Sequence, residues 1–140
     1  MDTALLTREL LDAFNNINRK KLLSEMKFIL QGEDLFLVML SEMGGVSTPS
    51  KVVEDSEFSP ARLSAILKSL ESKGYIEKKQ DEIDKRCTII EITEQGNERS
   101  ATIKAEMVEN ALNLTEKLGE EDANELIRLI RKLIYILCAE

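Results

Sequence analysis

The sequence predicts a mainly helical α+β fold, in which long helices surround one short β-hairpin. Three observations predict it. Only six Gly and two Pro occur in 140 residues, so breaks are few. Apolar residues recur at three- and four-residue steps over most of the chain. One region, residues 75–93, instead carries β-branched and alternating segments on either side of a polar stretch. A chain of 140 residues with 43% hydrophobic and 32% charged residues fits a single globular domain rather than a disordered or membrane protein.

From Leu5 to Leu30 the residues Leu6, Leu10, Phe14 and Ile17, then Leu22, Met26 and Ile29, predict one long helix, with Gly32 as its stop. A second helix, from about Asp34 to Met43, is apolar on most sides and is therefore expected to be buried; Gly44-Gly45 ends it. Thr48-Pro49 reads as an N-cap followed by proline at the first helical position, opening a short helix to about Asp55. Ser59-Pro60 repeats that signal. The helix it opens carries Leu63, Ile66, Leu67 and Leu70 on one stripe and ends at Lys73-Gly74. Two short helices joined by residues 56–59 form a helix-turn-helix candidate, a weak signal by itself because any compact helical domain contains such pairs.

The segment that follows sharpens it. Residues 75–79 and 88–93 make a hairpin whose tip, Gln80 to Cys87, is charged. A helix-turn-helix followed at once by a basic hairpin is the order of a winged helix. Thr93 can cap another long helix, from Glu94 to about Leu118, which Gly119 breaks. Glu120, Glu121 and Asp122 place acids at the positive end of a last helix reaching Leu137. Leu126, Ile127, Leu129, Ile130, Leu133, Ile134, Ile136 and Leu137 cover more than one face of that helix, more than a monomer leaves exposed. Homodimerisation through the terminal helices accounts for this surface; an intramolecular bundle is the alternative. The expected organisation is one domain, residues 1–140, with dimerisation helices at 1–31 and 94–140. The winged helix-turn-helix occupies 34–93, with a recognition helix at 60–73 and a wing at 75–93.

Composition also excludes functions. With no His and only two Cys, histidine-based triads, histidine-ligated zinc and four-cysteine zinc sites are excluded. No nucleophile with an adjacent base and no phosphate-cradling glycine loop occurs, so neither an enzyme nor a bound cofactor or metal is expected. No run of about eighteen apolar residues exists, and Asp2, Arg8 and Glu9 stand where a signal peptide needs an apolar core, so the expected location is cytoplasmic, with no membrane partner. Lys and Arg number 19 against 26 Asp and Glu, giving a net charge of −7. Its distribution is uneven: residues 58–90 hold seven cations and five acids, a local +2, which leaves −9 on the rest. An acidic body with one basic segment suits a protein that meets a polyanion through that segment alone.

Three motifs carry a family resemblance: Leu70-Glu71-Ser72-Lys73-Gly74-Tyr75-Ile76, then Asp81-x-x-Asp84-Lys85-Arg86, then Ile90-x-Ile92-Thr93-Glu94-x-Gly96. In this order and spacing the sequence resembles the MarR (multiple-antibiotic-resistance regulator) family of winged-helix transcription factors over about 45 residues. The resemblance implies a homodimer that binds a pseudo-palindromic operator on double-stranded DNA. It further implies a repressor that releases its operator when a small-molecule effector or an oxidant acts. It also implies that the arginine matched by Arg86 enters the minor groove. Members commonly carry Arg where Ala65 stands, so the operator sequence does not carry over.

The residues give the same reading. If the apolar stripe of the recognition helix faces the core, Ala61, Arg62, Ser64, Ala65 and Lys68 face outward, next to Ser59 at the cap. Small residues let a helix sink into the major groove, where Ala touches a thymine methyl, Ser bonds either base type and Arg binds guanine. In the wing, Asp84 and Arg86 are two apart on a segment read as extended, so Asp84 holds the Arg86 guanidinium ready for the minor groove, while Lys85 sits near phosphate. A surface ion pair is the plainer alternative. Thr48 offers a hydroxyl and helix amides to a phosphate, although an N-cap role suffices to explain it. Phe14, Phe28, Phe36 and Met39 are candidate lining for an effector pocket, and equally good core residues. Buried thiols are the plain reading of both cysteines; for Cys87 the alternative is that Arg86 beside it lowers its thiol pKa and makes it an oxidant sensor, while Cys138 is expected to be buried in the dimer region. The functional expectation is a sequence-specific transcriptional regulator; the alternative is a winged-helix protein-interaction module that does not bind DNA.

Overall fold

The computed structural model describes residues 2–54 and 58–138. In chain order these form α1 (Thr3–Asn15), α2 (Arg19–Glu25), α3 (Gly32–Glu42), β1 (Val46–Ser47), α4 (Pro49–Val52), α5 (Pro60–Ser72), β2 (Ile76–Gln80), β3 (Thr88–Ile92), α6 (Glu94–Leu118) and α7 (Glu120–Cys138). The sheet is antiparallel with strand order β1-β3-β2. Helix-turn-helix, hairpin and long flanking helices are therefore present in the expected order, and the fold is a winged helix.

The core lies between α3, α5, the hairpin root and the first turns of α6. Phe36, Leu37 and Leu40 of α3 meet Ile66, Leu67 and Leu70 of α5, with Val52, Ile76, Ile90 and Ile103 closing the cluster. The apolar run at residues 35–40 of α3 is buried or half-buried, and its polar residues gather at the two ends of the helix. By contrast α1 and α2 bury no residue and α7 buries only Ala123. Leu5, Leu6, Leu10, Leu11 and Phe14 of α1, and Leu126 to Leu137 along α7, stay exposed in the single chain.

Local cap chemistry sets the boundaries around the wing. Helix α5 ends in a Schellman motif: Tyr75 N–H donates to Leu70 O at 3.0 Å and Gly74 N–H to Glu71 O at 3.0 Å, with Gly74 at φ +80°. Thr93 caps α6 by accepting from Gly96 N–H at 3.0 Å, and its hydroxyl donates to Gly74 O at 2.6 Å. One hydroxyl thus joins the exit of the wing to its entry. Gly96 is required there because a Cβ would stand 2.1 Å from Tyr75 O, a backbone atom that cannot move aside cheaply.

Two expectations need correction, a third falls partly outside the described residues, and one strand was not foreseen. The helix expected from Leu5 to Leu30 is broken at residues 16–18. Asn16 closes α1 and the Asn18 side chain accepts from Lys21 N–H at 3.2 Å to open α2, since asparagine competes with the helix for backbone bonds. Gly32 does not stop a helix; it begins α3 at φ +60°. The helix after Thr48 ends at Val52, and its expected end at Asp55 lies outside the described residues. Strand β1 was not expected from sequence: Val46 pairs with Glu91 and Ser47 with Ile90, fastening the hairpin root to the segment between α3 and α4.

Candidate nucleic-acid interface

Ser59 opens α5 by accepting from Arg62 N–H at 3.2 Å, with Pro60 in the first turn. Burial then follows the predicted stripe. Leu63 is half-buried and Ile66, Leu67 and Leu70 are buried, whereas Ala61, Arg62, Ser64, Ala65 and Lys68 are exposed. The outward face is shallow, with side chains of any length only at Arg62 and Lys68. The Arg62 guanidinium carbon lies 5.3 Å from the centroid of the Phe58 ring, a cation–π contact. Phe58 is a residue that sequence reasoning missed; only its place two residues before a helix start could have marked it. Stacking fixes the guanidinium plane without consuming its N–H donors. Among the described residues no carboxylate forms an ion pair with Arg62, Lys68 or Lys85.

Acids in the first turn of α3 position this helix from behind. Ser69 Oγ donates to Glu33 Oε2 at 2.7 Å and Lys73 Nζ donates to Glu33 Oε1. The Lys73 hydrogen bond holds the Glu33 carboxyl below its ordinary range, against an opposing effect of burial, with Ser69 adding to the lowering. Arg99 of α6 approaches Asp34 at 3.5 Å. Lys78, in the middle of β2, approaches Glu71 of α5 at 4.0 Å.

The wing tip is a pair of side-chain-closed turns. Asp81 Oδ1 accepts from Ile83 N–H at 3.0 Å, and Asp84 Oδ1 accepts from Arg86 N–H at 3.1 Å and from Arg86 Nε at 3.2 Å. Cys87 N–H donates to Asp84 O at 2.9 Å and Asp81 N–H to Cys87 O at 3.0 Å. The Asp84–Arg86 contact is therefore as expected, but its cause is not: residues 84–87 form a turn, not an extended strand. The backbone N–H of Arg86, then its side chain, lowers the Asp84 pKa. Arg86 remains 93% exposed while Asp84 is 43% exposed, so the carboxylate grips the guanidinium base and leaves its outer nitrogens to solvent. In the strands behind, Lys79 pairs diagonally with Glu91 at 2.6 Å.

The lowered pKa considered for Cys87 is reversed. Its Sγ lies 3.6 Å from Asp84 Oδ2, and the Asp84 charge, followed by that hydrogen bond, burial and Asp81, pushes the thiol pKa up rather than down. Cys87 and Cys138 are both exposed in the single chain. Thr48 is half-buried and caps α4 by accepting from Lys51 N–H at 3.3 Å, with Ser50 Oγ also 3.3 Å away. The four residues considered for an effector pocket do not come together within one chain. Phe36 is wholly buried in the core, Met39 packs against that core, Phe28 is half-buried and Phe14 is exposed on α1. An open cleft lies instead at the α1–α2 junction, lined by Ile17, Asn18, Lys21, Leu22 and Glu25.

Residues 20–103 match the family described as transcriptional regulator SarA/Rot. The chain belongs to the SarA/Rot family. This SarA/Rot protein is similar in fold to solved MarR-family regulators. YusO from Bacillus subtilis is 20% identical, with 95% of this chain and 97% of that chain covered and a TM-score of 0.68. The organohalide-sensing regulator RdhR in its ligand-free form is 21% identical, with 99% and 83% covered and a TM-score of 0.65. A MepR variant from S. aureus is 21% identical, with 98% and 99% covered and a TM-score of 0.62. No curated protein matches the sequence. The SarA/Rot chain is thus a winged-helix transcriptional regulator, and its family and structural relatives are regulators rather than enzymes. Among the described residues no helix is long and apolar enough to cross a membrane.

Proposed function

We propose that this regulator binds double-stranded DNA sequence-specifically as a homodimer, each protomer setting α5 in a major groove and its wing in the adjacent minor groove. The observation that carries the reading is Arg86: a 93% exposed guanidinium, gripped from behind by Asp84, at the end of a hairpin fastened to α5. Ala61, Ser64 and Ala65 keep the α5 face shallow enough for base contact, Arg62 and Lys68 supply cations that no carboxylate among the described residues pairs, and Ser59, Thr48 and Lys85 would meet phosphates. The apolar faces of α1 and α7 supply the dimer surface, and twofold symmetry then demands a pseudo-palindromic operator with half-sites about 10 base pairs apart, centre to centre. The regulator acts as a ligand-responsive repressor in this reading. Its support is the fold relationship to RdhR, which is described as organohalide-sensing and has also been solved with 2,4-dichlorophenol bound.

The test is a mobility shift with DNA flanking the gene, repeated at two salt concentrations. Affinity is expected to fall steeply with salt, since binding neutralises phosphates. A log–log salt slope near zero would refute DNA binding and leave a protein-interaction role for the wing.

A further inference from the structure

Beyond Arg86, the wing presents a residue with no role in the fold. Ile83 is 96% exposed, the most exposed large hydrophobic side chain described. A single exposed isoleucine means little by itself; its setting gives it meaning. Residues 81–86 contain three acids and two cations, so charge alone does not make the tip attractive to DNA. The turns sort these groups. Asp81 and Asp84 are half-buried, their carboxylates occupied by the N–H groups of Ile83 and Arg86, whereas Glu82, Ile83, Lys85 and Arg86 are exposed. The Asp81 hydrogen bond fixes the Ile83 backbone, and a β-branched side chain has little rotamer freedom left to lose on contact.

We propose that Ile83 is the apolar contact of the wing, entering the minor groove beside Arg86 and packing against the deoxyribose walls. The inference rests on the DNA-binding reading above and adds to it a residue that senses groove width through shape. The minor groove, about 6 Å wide, has C–H-lined sides that an isoleucine can touch on both faces when the groove is narrow. A polar residue at this position would keep its water instead.

The experiment compares wild type, Ile83→Asn, Ile83→Val and Arg86→Ala on a duplex enriched from random sequence by the wild-type protein. Affinity is measured by fluorescence anisotropy across a salt series, with hydroxyl-radical footprinting of the same complexes. Ile83→Asn is expected to weaken binding about tenfold with an unchanged salt slope, because no charge is lost, and to remove sugar protection under the wing. Ile83→Val should retain most of the affinity, and Arg86→Ala, which removes one cation from each protomer of the dimer, should lower the slope by about two. Wild-type binding with Ile83→Asn within twofold of it and the footprint intact overturns this inference alone, and would point to a protein partner for the side chain. Absence of salt-dependent binding by the wild type overturns the DNA reading as well.

Discussion

Thr93 is where the structure concentrates the most consequence in one small group. Its hydroxyl accepts from Gly96 N–H at 3.0 Å and donates to Gly74 O at 2.6 Å, so it caps α6 and ties that cap to the end of α5. Removing the hydroxyl while keeping the β-branched shape, as Thr93→Val does, deletes an N-cap bond that contributes about 1 kcal/mol. It also leaves a half-buried carbonyl without its donor, for about 1 kcal/mol more. The sum, about 2 kcal/mol, corresponds in a chain of this size to a fall in melting temperature of roughly 7 °C. Urea denaturation followed by circular dichroism at one fixed protein concentration measures it, and Thr93→Ser, which keeps both bonds, should lose less than half as much. A Thr93→Val protein within about 0.5 kcal/mol of wild type would refute the clamp, since that is the range of surface substitutions that touch nothing.

Asp84→Ala should weaken binding to A·T-rich flanks although it removes a negative charge near DNA; tighter binding at moderate salt would mean that Asp84 does not orient Arg86. Because the Asp84 charge holds the Cys87 thiol above its ordinary pKa, Asp84→Asn should speed alkylation of Cys87 by iodoacetamide near neutral pH, and an unchanged rate would contradict that coupling. Glu33 has a lowered pKa in the folded chain, so its contribution to stability is present above its unfolded pKa, near 4.5, and is lost as pH falls through the folded value. Glu33→Gln should flatten that acid limb of the stability profile. Finally, the apolar surface left open on α1 and α7 predicts a melting temperature that rises with protein concentration, and a constant value would exclude coupled folding and association.

Elements bounded by cap chemistry were legible. Ser59-Pro60, Lys73-Gly74, Thr93 and Gly119 mark the ends of α5 and α6 because the hydrogen bonds that set those ends are made within a few residues of them. The break between α1 and α2 was obscured because the apolar steps continue across Asn16 and Asn18, and periodicity does not register a competing side-chain bond. Strand β1 was invisible for a different reason: two residues have no period, and Val46 and Ser47 become a strand only because Glu91 and Ile90 arrive from far along the chain. At the candidate site the outward face of α5 was readable from its stripe. The Arg62–Phe58 stack was not, since it depends on how the chain enters the helix. The Asp84–Arg86 contact was read from the right pair of residues on the wrong backbone.

The ladder between β1 and β3 covers only residues 90 and 91, while the turn at 81–87 projects beyond every strand pair. Mechanically the wing is a cantilever, clamped at its root by β1 and Thr93 and along β2 by the Lys78–Glu71 approach, and free at its end. Counted from Lys78 to Ile83, the five residues beyond the clamp give an arm of at most about 17 Å, so a tilt of about 5° at the clamp displaces the tip by up to about 1.5 Å. That is enough to withdraw a side chain from a groove only a few ångströms wider than itself. Small adjustments among α3, α5 and α6, too slight to disturb their packing, would therefore be amplified at Arg86, and in the proposed complex the minor-groove contact would be the first to be lost.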